Sequence, residues 1–565
     1  MYIICLAIII ILGAGYVLYG KFLTKRFNLD DSRPTPACTM TDGVDYVPAR
    51  KSLLLGQHFS AIAAAGPIVG PILAGKMFGW APALIWILIG SIFIGGVHDF
   101  SSLIASVRHK AKSIGEVVKE HLPRRVYLLF LLFIWLTIIY VIIAFTDITS
   151  QTFKTVLDPK YGGAGAGPGV AISSIIYLAL GIIMGLCLYK TKLPLWAATA
   201  IFLPLVFLSI WIGPRMPEGI LQSFSGISVK QWDVILLVYC FIASVIPAWL
   251  LLQPRGYLGG LFLYLVIAIS LIGVFFGGYI VSYPAFKLTG LSNIFTDAKP
   301  LFPILFITVA CGACSGFHAI VSSGTTSKQI CKESDTRVIG YGGMLLEALV
   351  AFLALSTVMI LDAKNPSLDK EPNIIYATGI ANFLGLLGIN ETHAMGFALL
   401  AFSTFVYDTL DVCTRLGRMI LQELAGWQGK YSHYAATFIT LLIPLAFLLT
   451  TREKSYLVAW PVFGTSNQLL ASLTLLMISV WLMQTGRSAL YAIIPMIFMM
   501  LTTLWSLILL IKPLTDVVNG KISPEKITDA TITGVAAVVL FTLAVWLIGE
   551  TLNVLLFRRK MKNAK

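Results

Sequence analysis

Charged residues are scarce in this 565-residue chain, where Asp, Glu, Lys and Arg together make up 12% of the sequence. Soluble globular proteins carry about 25% charged residues, so the shortage argues against a soluble protein. Hydrophobic residues reach 57%, and the mean hydropathy is +0.86. Most of the surface must therefore face something other than water, and a lipid bilayer is the expected surrounding.

Acidic residues are the scarcer of the two charged classes, with 27 Asp and Glu against 41 Lys and Arg, so the net charge is +14. A basic chain can bind nucleic acid, but in a membrane protein Lys and Arg collect in cytoplasmic loops. The second interpretation suits this composition better, and no nucleic-acid partner is predicted.

Cysteines and catalytic motifs are few as well. Most of the eight cysteines lie in apolar runs, where a free thiol behaves as a small hydrophobic group, so no disulfide framework is predicted. The chain contains no HExxH or GxSxG motif and no paired nucleophile and base. The sequence therefore does not predict an enzyme, and it does not predict a cofactor.

Apolar runs of about 20 residues are long enough to cross the roughly 30 Å hydrocarbon core of a bilayer. They predict an all-α polytopic membrane protein with about fifteen transmembrane helices, at 2–20, 54–75, 82–107, 126–152, 171–189, 194–213, 233–252, 258–281, 301–327, 338–361, 394–414, 432–450, 456–483, 488–511 and 530–556. The first run lacks a preceding basic segment and a following cleavage site, which favours a retained helix over a signal peptide. Segment 372–390 is apolar, short and Gly-rich, and is predicted to be re-entrant or interfacial.

The distribution of Lys and Arg predicts the orientation of these spans. With the N-terminus outside, segments on the cytoplasmic side contain 27 of the 41 Lys and Arg residues, as the positive-inside rule requires. This topology places Arg255 in a cytoplasmic loop. We divide the chain into an N-terminal helix and loop (1–53), a core of predicted spans (54–483), and C-terminal helices with a basic tail (484–565).

Three spans contain residues that an uninterrupted transmembrane helix avoids. In 54–75, Gly66–Pro67 and Gly70–Pro71 fall near the middle of the span. Proline removes a backbone donor and clashes with the preceding turn, and lipid offers no partner for the freed carbonyls. Such breaks build ion and substrate sites in many secondary transporters. A packing kink between small residues is the alternative.

The other two spans combine weak helix formers with polar side chains. Hydroxyl groups in 311–328 either bind a cation or carboxylate, or only bond to carbonyls of their own helix. Pro461 and Gly464 predict a third break within 460–468, where the polar residues form either a site wall or a helix–helix contact. The polar residues of the two segments are Ser315, His318, Ser322, Ser323, Thr325, Thr326, Ser327, Thr465, Ser466, Asn467 and Gln468.

Ionisable groups inside spans are costly in hydrocarbon, so they usually have a partner or a function. Those found here are His58, His98, Asp99, His318, Glu347, Asp408 and Asp411. Glu347 lies near mid-span and is the better candidate proton carrier, whereas His98 and Asp99 are candidates for a structural or gating pair. The spacing of Asp411 and Arg415 allows an ion pair, which is the alternative to a functional role for that acid.

Two further patterns leave alternatives open. Cys311, Cys314 and His318 are spaced to share a helix face, but no fourth ligand is near in sequence, so a metal site is not favoured. AIAAAG at 61–66 is similar to AIVSSG at 319–324, and the two run in opposite directions in the predicted topology, as an inverted repeat requires. Their separation indicates a seven-plus-seven repeat, whereas a five-plus-five repeat would pair the first broken span with the span at 233–252.

Several long blocks resemble the carbon starvation protein A family. They are ARKSLLLGQHFSAIAAAGPIVGPILA, GGVHDF, CGACSGFHAIVSSGTTSKQICKESDTRVIGYGGMLLEALVA, DTLDVCTRLGRMILQE and WPVFGTSNQLLA, within residues 49–480. The resemblance implies a bacterial inner-membrane transporter of peptides or pyruvate, used when preferred carbon runs short. It also implies the LeuT-like inverted-repeat core of the amino acid–polyamine–organocation superfamily, and proton symport for pyruvate-carrying members.

The family motifs coincide with the broken and acidic segments described above. The shared positions are Gly66, Pro67, Gly70, Pro71, Ser315, His318, Ser322, Ser323, Gly324, Thr325, Ser327, Asp411, Thr414, Arg415, Asn467 and Gln468. The resemblance identifies these as shared motif positions without assigning their contacts.

We predict a central site between the broken spans, where a half-helix N-terminus faces a substrate carboxylate. The predicted substrate-binding residues are His58, Gly66, Pro67, Gly70, Ser315, His318, Ser322, Ser323, Thr325, Asn467 and Gln468. The predicted ion-coupling residues, for a proton or a sodium ion, are Ala64, Ala65, Asp99, Thr326, Glu347 and Asp411. A membrane-embedded enzyme, a channel and a nutrient sensor on a transporter fold are the alternatives.

Overall fold

The computed structural model describes residues 1–42, 46–157, 165–247, 249–287 and 300–563, with side chains described up to residue 554. Within these ranges every regular element is a helix, as expected because a helix pairs its own backbone groups in lipid. The first half contains α1 (Tyr2–Phe27), α2 (Lys51–Ile62), α3 (Gly66–Phe78), α4 (Trp80–Arg108), α5 (Ile114–His121), α6 (Arg124–Phe153), α7 (Ala166–Lys190), α8 (Leu195–Arg215), α9 (Glu218–Gly226), α10 (Val229–Val245) and α11 (Leu252–Phe276). The second half contains α12 (Leu301–Thr308), α13 (Phe317–Gly324), α14 (Arg337–Met359), α15 (Pro372–Gly385), α16 (Glu391–Ala425), α17 (Ser432–Thr450), α18 (Ser455–Gln484), α19 (Leu490–Val518) and α20 (Pro524–Val554).

The number of spans agrees with an all-α polytopic membrane protein. In the described part of the chain, 12 helices are long and apolar enough to cross a membrane, or up to 14 spans if the bent pairs α2–α3 and α9–α10 each count as one. The predicted fold class is thereby confirmed. α12 and α13 are two short helices separated by a longer interruption, 309–316. The count of 12 to 14 in the described residues is below the fifteen predicted spans, which include 301–327 as one span. Within 372–390, the segment predicted to be re-entrant or interfacial, the structure has the short helix α15, which packs against α16.

The same order of elements occurs twice along the chain. The broken span α2–α3 is followed by α4, which contains a π turn at Ser91–Gly95, and then by the 30-residue helix α6. The broken span α12–α13 is followed by α14, which begins with a π turn at Arg337–Tyr341, and then by the 35-residue helix α16. This recurrence supports the internal repeat predicted to begin at the two broken spans.

The most enclosed helices are α16 and α18, in which 89% and 94% of the most apolar window is buried. By contrast, the corresponding buried share is only 22% in α1 and 33% in α20. The peripheral helices therefore offer most of the lipid-facing surface, and the polar residues of the broken spans lie in the protein-lined centre.

The structure corrects the predicted location of Arg255. This residue lies in the first turn of α11 and is fully buried, rather than in a cytoplasmic loop. The prediction was wrong because the polar sequence QPRG was read as a gap between two apolar runs, whereas α11 begins earlier, at Leu252. Arginine is accepted at this buried position because two aspartates of α16 neutralise it.

The predicted break at 460–468 is also wrong, because α18 is continuous from Ser455 to Gln484. Pro461 lies in the second turn of the helix, where the loss of one backbone hydrogen bond is tolerated within a protein-lined environment. Gly464 serves close packing instead of a break, since a Cβ there would lie 2.2 Å from the carbonyl oxygen of Ile307.

Candidate functional site

The two broken spans cross at their interruptions. α2 ends at Ile62 and α3 begins at Gly66, with a bend of 49° between them. A Cβ at Gly66 would lie 2.3 Å from the sulfur of Cys311, and a Cβ at Gly70 would lie 2.5 Å from the carbonyl oxygen of Thr308. The glycines of the Gly–Pro motif therefore allow the backbones of the two breaks to touch, which places both interruptions in one region of the core.

Gly70 provides a direct test of this crossing. We expect Gly70→Ala to lower the free energy of unfolding by about 1–3 kcal/mol, because the added methyl group meets a backbone carbonyl that cannot rotate away. Gly256→Ala in α11 is the matched control, since no atom of the described residues lies within 4 Å of a Cβ there, and alanine should be neutral or stabilising by up to about 1 kcal/mol. Thermal unfolding in detergent measures both, and equal effects would contradict the crossing.

Carbonyl groups in the second interruption that have no hydrogen-bond partner within their own helix accept hydrogen bonds from side chains of neighbouring helices. The Gln468 amide donates to the carbonyl oxygens of Phe306 at 2.6 Å and Val309 at 3.4 Å. The indole of Trp86 also donates to the Val309 carbonyl, at 3.3 Å. These bonds replace the helical ones that end at Thr308, and they explain how a break persists inside a membrane protein.

Asn467 holds the other end of the same interruption. Its Oδ1 accepts from the backbone N–H of Phe317 at 2.9 Å, and its Nδ2 donates to the Ser315 hydroxyl at 3.0 Å. The Gly316 N–H also donates to the Asn467 carbonyl oxygen at 3.0 Å. Asn467, Gln468 and Ser315 were predicted to bind substrate, and the structure places them at the break, where they hold its backbone.

Replacing Asn467 should loosen the second interruption. We expect Asn467→Ala to cost about 1–3 kcal/mol of unfolding free energy, because the buried N–H of Phe317 loses its acceptor. Ser472→Ala is the control one turn further along α18, since its hydroxyl bonds mainly to its own helix, at the Leu469 carbonyl, and should change stability far less. A loss in the control as large as that of Asn467→Ala would show that the effect is not specific to the break.

A buried ionisable cluster lies beside this crossing. Asp99 of α4 bridges two imidazoles, with Oδ1 2.7 Å from His98 Nδ1 and Oδ2 2.7 Å from His318 Nδ1. All three side chains are fully buried. The sequence suggested His98–Asp99 as a local pair, and the structure adds His318 from α13, 219 residues away in the chain.

Glu347 of α14 completes this cluster. Its Oε2 lies 3.1 Å from His318 Nε2, so both ring nitrogens of His318 face carboxylate oxygens. The contact is not aligned as a hydrogen bond, and neither oxygen of Glu347 has a hydrogen-bond partner among the residues the structure describes. Glu347 is therefore a fully buried carboxyl group held only by charge, as a proton carrier needs.

His58 of α2 lies at the edge of the same cluster. Its Nδ1 is 3.0 Å from the Thr326 hydroxyl, and its ring packs against Gly343 of α14. Its Nε2 is buried and has no hydrogen-bond partner within the described ranges. This nitrogen is an unsatisfied polar atom inside the core, and a role of His58 in substrate binding stays a prediction.

The remaining predicted hydroxyls bond mostly to their own helix. Ser322 and Ser323 both donate to the Ala319 carbonyl, at 3.1 and 2.6 Å, and Thr325 donates to the Val321 carbonyl at 2.9 Å. Ser323 also accepts from the N–H of Ile114 at the start of α5. These contacts match the alternative in which hydroxyls satisfy helix carbonyls, and a role in substrate binding stays a prediction.

A second buried network joins α11 to α16. Arg255 contacts Asp408 Oδ1 through Nη2 at 2.8 Å and Nε at 2.9 Å, and contacts Asp411 Oδ2 through Nη1 at 2.6 Å. Tyr239 donates to Asp411 at 2.9 Å, and Ser60 of α2 donates to Asp408 at 3.1 Å. The network links the first broken span to α16 through Ser60 and Asp408, and it links α11 to α16 through Arg255.

Sequence reasoning missed Arg255 as the partner of Asp408 and Asp411. The predicted Asp411–Arg415 ion pair is not found among the described side chains. Arg415 instead donates to the carbonyl oxygens of Ala243 at 2.7 Å and Ile246 at 2.5 Å, at the C-terminal end of α10. Those carbonyls lack helical partners and carry partial negative charge, so they attract the guanidinium away from its sequence neighbour.

A multi-pass helical protein with buried ionisable groups where two broken spans cross has the architecture of a secondary transporter. The chain belongs to the carbon starvation protein CstA family, whose model matches residues 1–368 and 363–506. It is 32% identical over 575 residues to the peptide transporter CstA of Helicobacter pylori, covering 90% of this chain and 81% of the relative. It is 31% identical over 588 residues to the peptide transporter CstA of Bacillus subtilis, covering 96% of this chain and 94% of that relative.

Other similar proteins are transporters as well. The pyruvate/proton symporter BtsT of Escherichia coli is 29% identical over 591 residues, covering 87% of this chain and 79% of the symporter. A manganese transporter from Eremococcus coleocola, solved as a crystal structure, covers 91% of this chain and 99% of its own length, with 13% identity and a TM-score of 0.47. The crystal structure of MhsT in complex with L-phenylalanine covers 88% of this chain and 99% of its own length, with 13% identity and a TM-score of 0.44.

Proposed function

We propose that this protein is a bacterial inner-membrane transporter that takes up small carboxylate-bearing nutrients, peptides or pyruvate, in symport with a proton. The Asp99–His318–Glu347 cluster beside the crossing of two broken spans is the observation that carries the proposal. The relatives named as peptide transporters and as a pyruvate/proton symporter support the same activity. We also propose a role during carbon starvation, with the N-terminus outside and the C-terminus in the cytoplasm.

The proton is assigned to the cluster by counting donors. A neutral imidazole has one N–H, yet both nitrogens of His318 face carboxylate oxygens, at 2.7 and 3.1 Å. One further proton is needed, either on the ring or on a carboxyl group. Asp99 also holds His98, so Glu347 is the group from which that proton can leave with least loss of hydrogen bonding. In this proposal Glu347 binds and releases the coupled proton.

The substrate carboxylate would lie at the first break. The N-terminal end of α3, at Gly66, carries the positive end of the helix dipole. The buried Nε2 of His58, on the preceding helix α2, is a second polar atom and has no hydrogen-bond partner among the described residues. The N-terminal end of α3 and His58 Nε2 both suit a small anionic group. A substrate carboxylate bound there would place its negative charge near the proton on Glu347, so that binding of the substrate favours binding of the proton and the reverse.

Uptake into proteoliposomes tests the proposal. Labelled pyruvate and a labelled dipeptide are offered under an imposed pH gradient, under a sodium gradient, and under neither. We expect accumulation with the pH gradient alone, since one pH unit stores about 1.4 kcal/mol per proton and allows about tenfold accumulation. Accumulation driven only by sodium would move coupling to the carbonyl of Ala64 and the hydroxyl of Thr326, and uptake that ignores both gradients would reject symport.

A further inference from the structure

An apolar groove opens at the surface of the protein between α4, α12 and α19. Its volume is about 620 Å³. Isoleucine, leucine, proline, phenylalanine and tryptophan side chains line it, and no charged or hydroxyl-bearing side chain of the described residues does. Water needs polar partners, and apolar cavities stay dry. The groove is therefore unsuited to water or to a polar substrate.

Three aromatic rings in mutual contact lie in this groove, one from each helix. Trp86 of α4 packs edge-on against Phe306 of α12, with centroids 4.7 Å apart. Phe498 of α19 lies 5.5 Å from Phe306 and 5.8 Å from Trp86. Trp86 is only 4% exposed, so these rings form the floor of the groove, and their packing fixes its shape.

The walls of the groove continue into the lipid-facing surface. Ile85 and Ile89 of α4 are exposed, as is Ile494 of α19 on the other side. Ile497 and Leu501 extend the exposed face of α19 beyond the groove, at the spacing of one face of a helix. Both helices are long and apolar enough to span the membrane. Lipid that covers this face of α19 therefore reaches the groove directly.

An acyl chain suits the groove better than a transmembrane helix does. Helices associate in membranes mainly through small residues that let their backbones approach, and only bulky side chains and prolines line this groove. A helix is about 10–12 Å wide, whereas a single acyl chain is thinner and flexible. An empty groove would leave its lining without dispersion contacts. Because lipid tails are as apolar as these side chains, packing contacts drive the binding.

The floor of the groove is connected to the second break. The Trp86 indole donates to the carbonyl oxygen of Val309 at 3.3 Å, and the carbonyl oxygen of Phe306 accepts from Gln468 at 2.6 Å. Both carbonyls belong to the end of α12 and the start of the interruption. A chain that packs against the rings of Trp86 and Phe306 restricts their movement, and thereby holds the hydrogen bonds of the break in place.

We propose that this groove binds one acyl chain of a membrane phospholipid, and that the bound chain stabilises the second break through Trp86 and Phe306. The site shares no residue with the Asp99–His318–Glu347 cluster. It depends on the fold and on the lipid surroundings, so its test needs no knowledge of the substrate or of the coupled ion.

Native mass spectrometry of the full-length protein tests this site, because it counts the molecules that stay bound after release from detergent and identifies them by mass. We expect the unaltered protein to retain one phospholipid with long acyl chains, whatever the headgroup, and to lose phospholipids with short chains. Retention that follows the headgroup and not the chain, or the absence of any retained lipid, would overturn the proposal.

Two variants that fill the groove locate the lipid. Ile89→Trp and Ile494→Trp introduce a larger side chain from opposite walls, and each should abolish retention of the lipid. Ile242→Trp is the matched control, since Ile242 is exposed on α10 outside the groove, and it should retain the lipid. If Ile89→Trp does not fold, Ile494→Trp decides. A lipid that both groove variants retain, or that Ile242→Trp loses, would lie elsewhere and contradict the site.

Hydrogen exchange tests the connection to the second break. In the unaltered protein, removal of lipid should speed amide exchange within 309–316, and added long-chain phospholipid should slow it again. In Ile89→Trp the indole occupies the groove, so exchange in this segment should not respond to lipid. Retention of the lipid without any change in exchange at 309–316 would contradict stabilisation of the break.

Discussion

Replacing Arg255 by methionine should lower the free energy of unfolding by about 3–5 kcal/mol, the cost of removing one partner from a buried ion network. The methionine fills much of the same volume, but it leaves Asp408 and Asp411 as adjacent buried acids with no cation between them. Tyr239 and Ser60 would still donate to them, and two neutral hydroxyls do not replace a guanidinium. Thermal or denaturant unfolding in detergent measures the loss.

Arg452→Met is the matched control for Arg255→Met. Its ion pair with Glu525 spans 3.4 Å, with the two side chains 57% and 75% exposed, and such surface pairs contribute at most about 1 kcal/mol. A second comparison adds Asp408→Asn and Asp411→Asn to Arg255→Met. Because these changes remove the unpaired charges, the triple variant should recover much of the lost stability. A triple variant less stable than Arg255→Met would show that the acids do not cause the loss.

The largest functional effect is expected from Glu347→Gln. The amide keeps the size of the side chain but cannot release a proton, so accumulation driven by a pH gradient should fall to the level seen without a gradient. Exchange of labelled for unlabelled substrate across the membrane needs no net proton movement and should continue. Uptake and counterflow in the same proteoliposomes measure the two activities.

Two controls separate loss of coupling from loss of fold. Glu218→Gln changes an exposed acid at the start of α9 and should leave both activities unchanged. Glu347→Gln should remain folded, because glutamine keeps the size of the side chain and His318 keeps its contact with Asp99, and the unfolding temperature checks this. If Glu347→Gln still accumulates substrate under a pH gradient, the proton is carried by another group.

Local sequence predicted the first break well. Proline and glycine act within one turn of the chain, so Gly66–Pro67 marked the start of α3 without knowledge of its neighbours. The same reasoning failed at Pro461, because a single lost bond near the start of a helix does not outweigh the packing of α18. The pattern shows where a helix is weakened, and tertiary packing decides whether it breaks.

The partners of the buried charges could not be predicted from local spacing. Asp99 and His318 are 219 residues apart, and Arg255 and Asp408 are 153 residues apart. Spacing favoured Arg415 as the partner of Asp411, but that arginine instead donates to carbonyl oxygens at the C-terminal end of α10. The residue types of the site could be listed from the sequence, whereas their pairing depends on how the spans cross.

The sequence singled out Asn467 and Gln468, but the predicted role of these residues differs from the contacts that they make in the structure. The sequence left two interpretations open for their segment, a site wall and a polar helix–helix contact, and both residues were predicted to bind substrate. In the structure their amides satisfy backbone groups of the second break, at Phe317 and Phe306. The second break thus depends on α18, which is continuous.

Proton movement during transport tests the central claim most directly. Pyruvate or a dipeptide is added to proteoliposomes in weakly buffered medium, and the external pH is recorded together with substrate uptake. The account predicts that the medium becomes alkaline as substrate enters, with one proton for each substrate molecule, and that Glu347→Gln abolishes the pH change. Substrate entry by the unaltered protein with no change in external pH would contradict proton symport through this cluster.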